Sequence, residues 1–171
     1  AVMAKLQEPC LVAGSKGMLG TDLVRLLQGS GTQTVALDVD EMDICNADSV
    51  MDAFAKYHPA LVINVAAYTD VDGCESRPEE AFSINAQGPK NLAKASLDAG
   101  SFLVHLSTDY LFDGNKGAPY VEEDPINPLG VYGRSKAEGE RHVRELLPDR
   151  HCIVRTQWLF GLHGKNFVEA I

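Results

Sequence analysis

The sequence has 171 residues, enough to bury the core of one domain and short for two. Hydrophobic residues make up 45% of it and lie in short runs, none near the unbroken apolar length of a membrane-spanning helix. A formal charge of −9 with no basic stripe excludes a nucleic-acid backbone as the partner, because phosphate binding draws on clustered Lys and Arg.

Ala1 to Lys5 carries no apolar signal core, and Met3 behind a leading Ala-Val reads as added sequence. Residues 9–13 form an apolar run ending at a glycine and predict a buried strand. Leu19, Leu23, Val24, Leu26 and Leu27 fall at helical spacing, so a helix is expected over 17–27, closed by Gly29 and Gly31. A second strand over 34–37 stops at Asp38. A helix over 48–57 follows, with Asn46 or Asp48 available as its cap. Residues 60–65 predict a third strand, apolar for most of its length. One long helix is expected over 78–99, with Pro78 suited to its first turn and Gly100 to its end.

Residues 102–106 predict a fourth strand, apolar apart from His105. The glycines and prolines of 113–128 mark a loop. A helix over 131–147 is stopped by Pro148, and 152–154 is a fifth strand. Apolar strands alternating with helices mean a parallel sheet covered on both sides, a doubly wound α/β domain of Rossmann-like type. Residues 166–171 read as the first turns of another helix. The domain, taken as 1–171, is therefore expected to be incomplete at its C-terminus.

Cysteines 10, 45, 74 and 152 form no Cys-x-x-Cys pair, and the five histidines are equally scattered. This fits reduced core thiols in a cytoplasmic protein and gives no reason to expect a metal.

Gly14-Ser15-Lys16-Gly17-Met18-Leu19-Gly20 follows the first strand and opens the first helix. Gly14 permits a tight turn, Gly17 lets the backbone approach a pyrophosphate, and Gly20 allows close packing. Spaced glycines are common in plain strand–helix turns, but the context here favours a dinucleotide. Asp38, at the end of the second strand, can accept hydrogen bonds from an adenosine ribose. No arginine follows it to hold a 2′-phosphate, which favours NAD over NADP. The plainer alternative is a strand-end Asp in an acidic loop.

Tyr132 and Lys136 lie four apart on a predicted helix and project from one face. A free tyrosine titrates near 10, and a nearby ammonium is expected to lower that value and make a usable general acid. Ser107 and Thr108 end the strand before that helix, where ligands collect in such sheets. A hydroxyl there and the Tyr/Lys pair could converge on one carbonyl.

At these segments the chain resembles the extended short-chain dehydrogenase/reductases and, within them, the dTDP-4-dehydrorhamnose reductase family. The matching stretches are 14–20, Asp43-Ile44, 64–72 (NVAAYTDVD), 107–114 (STDYLFDG), 132–136 (YGRSK) and 155–158 (RTQW), together spread over nearly the whole chain. The resemblance implies that Gly14, Gly17, Met18, Leu19, Gly20, Asp43, Ile44, Ala66, Ala67 and Tyr68 contact NAD(H) or NADP(H), to which Asp38 is added by its place at the strand end. It implies that Thr108 hydrogen-bonds the substrate carbonyl, Tyr132 protonates it, and Lys136 holds the nicotinamide ribose. Thr69, Val71, Asp109 and Trp158 would face the sugar, although Trp158 alone could equally be a core aromatic. The implied substrate is a nucleotide-linked 4-keto-sugar, dTDP-4-dehydrorhamnose in particular, reduced for polysaccharide precursors; a homodimer is compatible with this.

Related dehydratases carry an acidic residue directly after the Thr-Asp pair, whereas Tyr110 stands there in this sequence. Reduction is therefore expected over dehydration. An epimerase of the same fold would use the same Tyr, Lys and cofactor. A non-catalytic cofactor-binding subunit, like that of methionine adenosyltransferase, is the alternative from another class.

Overall fold

The computed structural model describes residues 6–164, 166 and 168. The added-sequence reading of residues 1–5 and most of the helix start expected over 166–171 lie outside the described residues. Five strands, β1 (Cys10–Ala13), β2 (Thr34–Leu37), β3 (Leu61–Asn64), β4 (Phe102–Thr108) and β5 (His151–Thr156), form one sheet. Their order is β2-β1-β3-β4-β5, and every pairing is parallel. The helices are α1 (Met18–Gly29), α2 (Ala47–Tyr57), α3 (Val71–Ser76), α4 (Pro78–Phe82), α5 (Gly88–Ala99) and α6 (Val131–Leu146).

All four residues of β1 are fully buried, and alternate residues serve opposite faces. Leu11 and Ala13 join Leu37, Val50, Phe54, Leu92, Leu103 and Val143 in the core under α2, α5 and α6. Cys10 and Val12 join Leu27, Leu61 and Ile63 under α1, with Leu23 and Val24 packed alongside. Each such large apolar side chain contributes roughly 1.5–3 kcal/mol on full burial. A strand sandwiched in this way has no polar face, which is why its sequence is apolar throughout.

The expectation of a sheet covered on both sides holds for the central strands and is not met at β5. Cys152 is exposed and Val154 is 37% exposed. Their register partners on β4 are Val104 and Leu106, which pack with the cluster under α1. On this face α1 is the covering helix among the described residues, and Cys152 is not a core thiol. Cys10 and Cys74 are buried, and Cys45 is half-buried.

Three further differences shape the site. Helix α3 was not expected; Asp70 starts it, its carboxylate accepting from the Gly73 N–H at 2.9 Å. The long helix is not uniform, because a π turn at Ser83–Gln87 joins α4 to α5. Such single wide turns recur at functional sites. This one carries Asn85, fully buried, whose amide accepts from Tyr68 N at 2.8 Å and donates to Tyr68 O at 3.0 Å and Ser135 Oγ at 3.1 Å. Strand β4 also runs two residues past its apolar part, pairing Ser107 with Arg155 and Thr108 with Thr156 on β5.

Candidate functional site

The chain leaves β1 for β2 on one side and returns to β3 on the other, so the strand order reverses between β1 and β3. Ligands of doubly wound sheets lie in the crevice at that point. Two cavities open there. The first, of about 520 Å³, is lined by Gly14, Gly17, Asp38, Asp43, Ile44, Ala66 and Ala67 among others. The second, of about 450 Å³, is lined by Gly17 to Gly20, Ala67, Thr69, Val71, Thr108, Asp109, Tyr132, Lys136 and Trp158 among others. Gly17, Val65 and Ala67 line both, so the two form one trough along the strand ends.

Each glycine of the loop meets a different constraint. Gly14 has φ +85°, and a Cβ on it would come within 2.7 Å of the Ala66 nitrogen. At Gly20 a Cβ would lie 2.0 Å from the Gly14 carbonyl oxygen. Gly17 is different: its Cβ would meet nothing nearer than that oxygen at 3.4 Å, so the loop stands clear on the cavity side. Gly17 also precedes α1 with no side-chain cap and no acidic residue in the first turn. Free N–H groups with the positive end of the helix dipole suit a pyrophosphate.

At the far end, Asp38 is committed on both oxygens to the main chain. Oδ2 accepts from the Lys16 N–H at 2.8 Å and Oδ1 from the Val39 N–H at 2.9 Å. The Lys16 side chain bridges Asp40 and Glu41, each at 3.0 Å. The Asp43 carboxylate accepts from Cys45 N at 2.9 Å, and buried Asn91 donates to the Ile44 carbonyl at 2.8 Å. Asn64 fixes the next loop, accepting from Ala66 N at 3.1 Å while its NH₂ faces His105 Nδ1 at 3.1 Å. Burial and the nearby Lys136 charge hold His105 well below its ordinary pKa, so the ring is neutral.

Tyr68 is not brought to either cavity. Asn85 pins its main chain from both sides, and its ring packs against the cluster of Cys74, Ala81 and Val131. The Arg77 guanidinium lies 5.1 Å from its centroid. Trp158 is 67% exposed with φ +52° and lines the second cavity, which excludes the core-aromatic reading. Other lining residues, among them Met42, Ser83 and Thr156, gave no signal in the sequence. They are ordinary residue types whose place depends on how separate loops meet.

Thr108, buried at the end of β4, donates to the Asp109 carboxylate at 3.2 Å and accepts from Tyr110 N at 3.2 Å. The Tyr110 ring meets Tyr132 edge-on, 5.4 Å between centroids. Burial pushes the Tyr132 pKa above its ordinary value, and the Thr108 hydroxyl pulls the other way. The expected lowering by Lys136 is therefore overturned. Lys136 is itself buried and its Nζ donates to the Leu106 carbonyl at 2.6 Å. Burial pulls the Lys136 pKa down to about 8, against the opposing charge of Glu140.

The family model described as the RmlD substrate binding domain matches residues 8–171. The chain belongs to that family. Among RmlD-family relatives, it is 48% identical over 161 residues to the dTDP-4-dehydrorhamnose reductase of Streptomyces griseus, covering 94% of this chain and 53% of that protein. For the Aggregatibacter actinomycetemcomitans dTDP-4-dehydrorhamnose reductase the identity is 45%, covering 94% and 55%. The chain thus spans about half the length of these curated relatives. Its fold superimposes on the crystal structure of the Bacillus anthracis dTDP-4-dehydrorhamnose reductase in complex with NADP, with a TM-score of 0.92 and 38% identity, over 96% of this chain and 58% of that one. The UDP-glucose 4-epimerase of Brucella ovis in complex with NAD, 22% identical, matches with a TM-score of 0.78 and shares the fold.

Proposed function

We propose that this chain supplies the cofactor-binding and proton-donating part of a reductase acting on a nucleotide-linked 4-keto-sugar, dTDP-4-dehydrorhamnose being the best-supported substrate. The observation that carries the reading is the convergence of Thr108, Tyr132 and Lys136 on one cavity that continues into the glycine-loop trough. The cofactor is NAD(H) or NADP(H), the pair found in complexes of structural neighbours. Gly14, Gly17, Gly20 and the N–H groups of Met18 and Leu19 would hold its pyrophosphate. Asp38, Asp43 and Ile44 would flank the adenosine, and Ala66 and Ala67 the channel. Lys136 would meet the nicotinamide ribose.

The bound cofactor supplies a hydride to the ketone carbon, leaving charge on oxygen. Tyr132 gives that oxygen its proton, and the raised pKa keeps the phenol protonated at neutral pH, the form that can donate. Thr108 donates to the same oxygen where charge develops. Thr69, Val71, Asp109 and Trp158 line the same cavity and would face the sugar. The presence of Thr108, Tyr132 and Lys136 on one cavity favours this reading over a non-catalytic subunit, and Tyr110 in place of an acid favours it over dehydration. The free thiols of Cys10, Cys45, Cys74 and Cys152 support a cytoplasmic location.

The test is stoichiometry. Incubation of the full-length protein with NADH or NADPH and dTDP-4-dehydrorhamnose should consume one cofactor per sugar reduced. Sugar isomerised without net cofactor oxidation would indicate an epimerase, and cofactor binding with no turnover would indicate a binding subunit.

A further inference from the structure

Tyr132, Lys136 and Glu140 succeed one another at four-residue intervals on α6 and so share one helix face. Glu140 is fully buried, an uncommon place for a carboxylate. It is also surrounded by cations. Arg155 grips it through two parallel contacts, Nε at 2.9 Å and Nη2 at 2.8 Å, and Arg144 adds a third at 2.8 Å. Arg155 sits on β5 opposite Ser107 of β4, one residue before Thr108. The carboxylate therefore ties the helix bearing Tyr132 and Lys136 to the strands bearing Thr108.

We infer that Glu140 is a positioning residue for the site: it clamps α6 against the end of β4–β5 and provides the negative charge that keeps buried Lys136 an ammonium. An isolated ammonium in such a place would shed its proton, since burial penalises the charged form. The groups whose charge bears on Lys136 can be named by element. On β4, His105 is neutral and cannot offset it. On α6, Tyr132 is a protonated phenol, Glu140 is an anion and Arg144 a cation paired with it, and on β5 Arg155 is a second cation paired with it. Burial pushes the Glu140 carboxyl up, but Arg155, Ser107 and Arg144 outweigh it and hold the group below the ordinary carboxylate value. Glu140 is thus ionised at every pH at which Lys136 titrates, and its charge opposes the burial that draws Lys136 down to about 8.

A buried ion pair that served structure alone would leave Lys136 indifferent to its loss. The inference rests on Lys136 meeting the cofactor, so two readouts are needed. In ¹³Cε-lysine spectra the Lys136 signal is identified by its absence in Lys136→Arg. Its midpoint should fall by about one pH unit in Glu140→Gln, which leaves Arg144 and Arg155 uncompensated. Glu140→Asp should restore part of the shift. Arg144→Gln, at a half-exposed position that tolerates change, should move the midpoint upward and serves if Glu140→Gln fails to fold. A midpoint unmoved in Arg144→Gln, and in Glu140→Gln where it folds, overturns the inference. NADH and NADPH titrations on the same samples address the functional reading separately. Wild-type protein that binds neither cofactor sinks that reading while the midpoints still report on Glu140, and an alkaline loss of affinity that tracks the Lys136 midpoint supports both.

Discussion

The ammonium of Lys136 donates to the main-chain carbonyl of Leu106 at 2.6 Å, from a side chain only 3% exposed. A lysine held this way costs stability. Its folded pKa of about 8 lies below the ordinary 10.5, so the folded state binds the proton less tightly than the unfolded one. The cost is fully present below about pH 8 and is relieved as pH rises from there toward 10.5.

Lys136→Met should therefore raise the Tm at pH 7 and abolish tight cofactor binding. The shift implies on the order of 3 kcal/mol for the burial of the charge, and loss of the Leu106 contact returns part of it. A net gain of a few degrees is expected, shrinking as pH approaches 10. Scanning calorimetry at pH 7 and pH 9.5 checks this. A lower Tm for the variant at pH 7 would show that the lysine is a structural asset.

The glycine loop gives a paired prediction. Gly20→Ala places a methyl 2.0 Å from the Gly14 carbonyl oxygen, and backbone must move to accept it. Overpacking of this kind costs roughly 1–3 kcal/mol, so chemical denaturation should show a clear loss. Gly17→Ala meets nothing closer than 3.4 Å and should stay within about 1 kcal/mol of wild type. Its methyl stands where a pyrophosphate would approach, so dinucleotide affinity should drop about tenfold or more, near 1.4 kcal/mol. Equal affinity in Gly17→Ala and wild type would place the cofactor elsewhere.

These two glycines also show how much was legible in the sequence. Their roles follow from spacing after a strand, and the order of strands and long helices follows from apolar periodicity. Strand β4 was read two residues short because Ser107 and Thr108 are polar, and the pairing with Arg155 and Thr156 that extends it is not local. Helix α3 escaped because six residues starting from an Asp cap leave too little periodicity. Tyr68 sits within a stretch that carries the family resemblance, yet its direction is set by Asn85, seventeen residues away on a π turn. Glu140 carries no signal in the sequence. Only the fold brings Arg155 to it.

Asp38 makes a sharper case than its place at a strand end suggested. Both its oxygens already serve the main chain, and one holds the Lys16 N–H of the glycine loop. Asp38→Ala should weaken NADH and NADPH together by loosening that loop, and should weaken NADH more because the ribose acceptor is lost. The ratio of the two affinities, measured by fluorescence titration, should move toward NADPH. A parallel loss with an unchanged ratio would mean that Asp38 only supports the loop.

The chemistry turns on Tyr132, which burial keeps in the phenol form. Reduction needs an acid at the carbonyl oxygen in the transition state, and a positioned one is typically worth 10²–10⁴-fold. In the full-length protein, Tyr132→Phe should cut kcat by about that factor with dTDP-4-dehydrorhamnose, while NADH affinity stays nearly unchanged because the ring and its edge-on contact with Tyr110 remain. Thr108→Val should cost less. It removes a donor to the developing charge but leaves the proton source in place. Stopped-flow measurement of the hydride step across pH 6 to 9 separates the two. Because the phenol stays protonated over that range, both profiles should keep the wild-type shape, the Tyr132→Phe amplitude falling much further than that of Thr108→Val. Near wild-type turnover in Tyr132→Phe across that range would mean that another group supplies the proton, and the assignment of Tyr132 would fall.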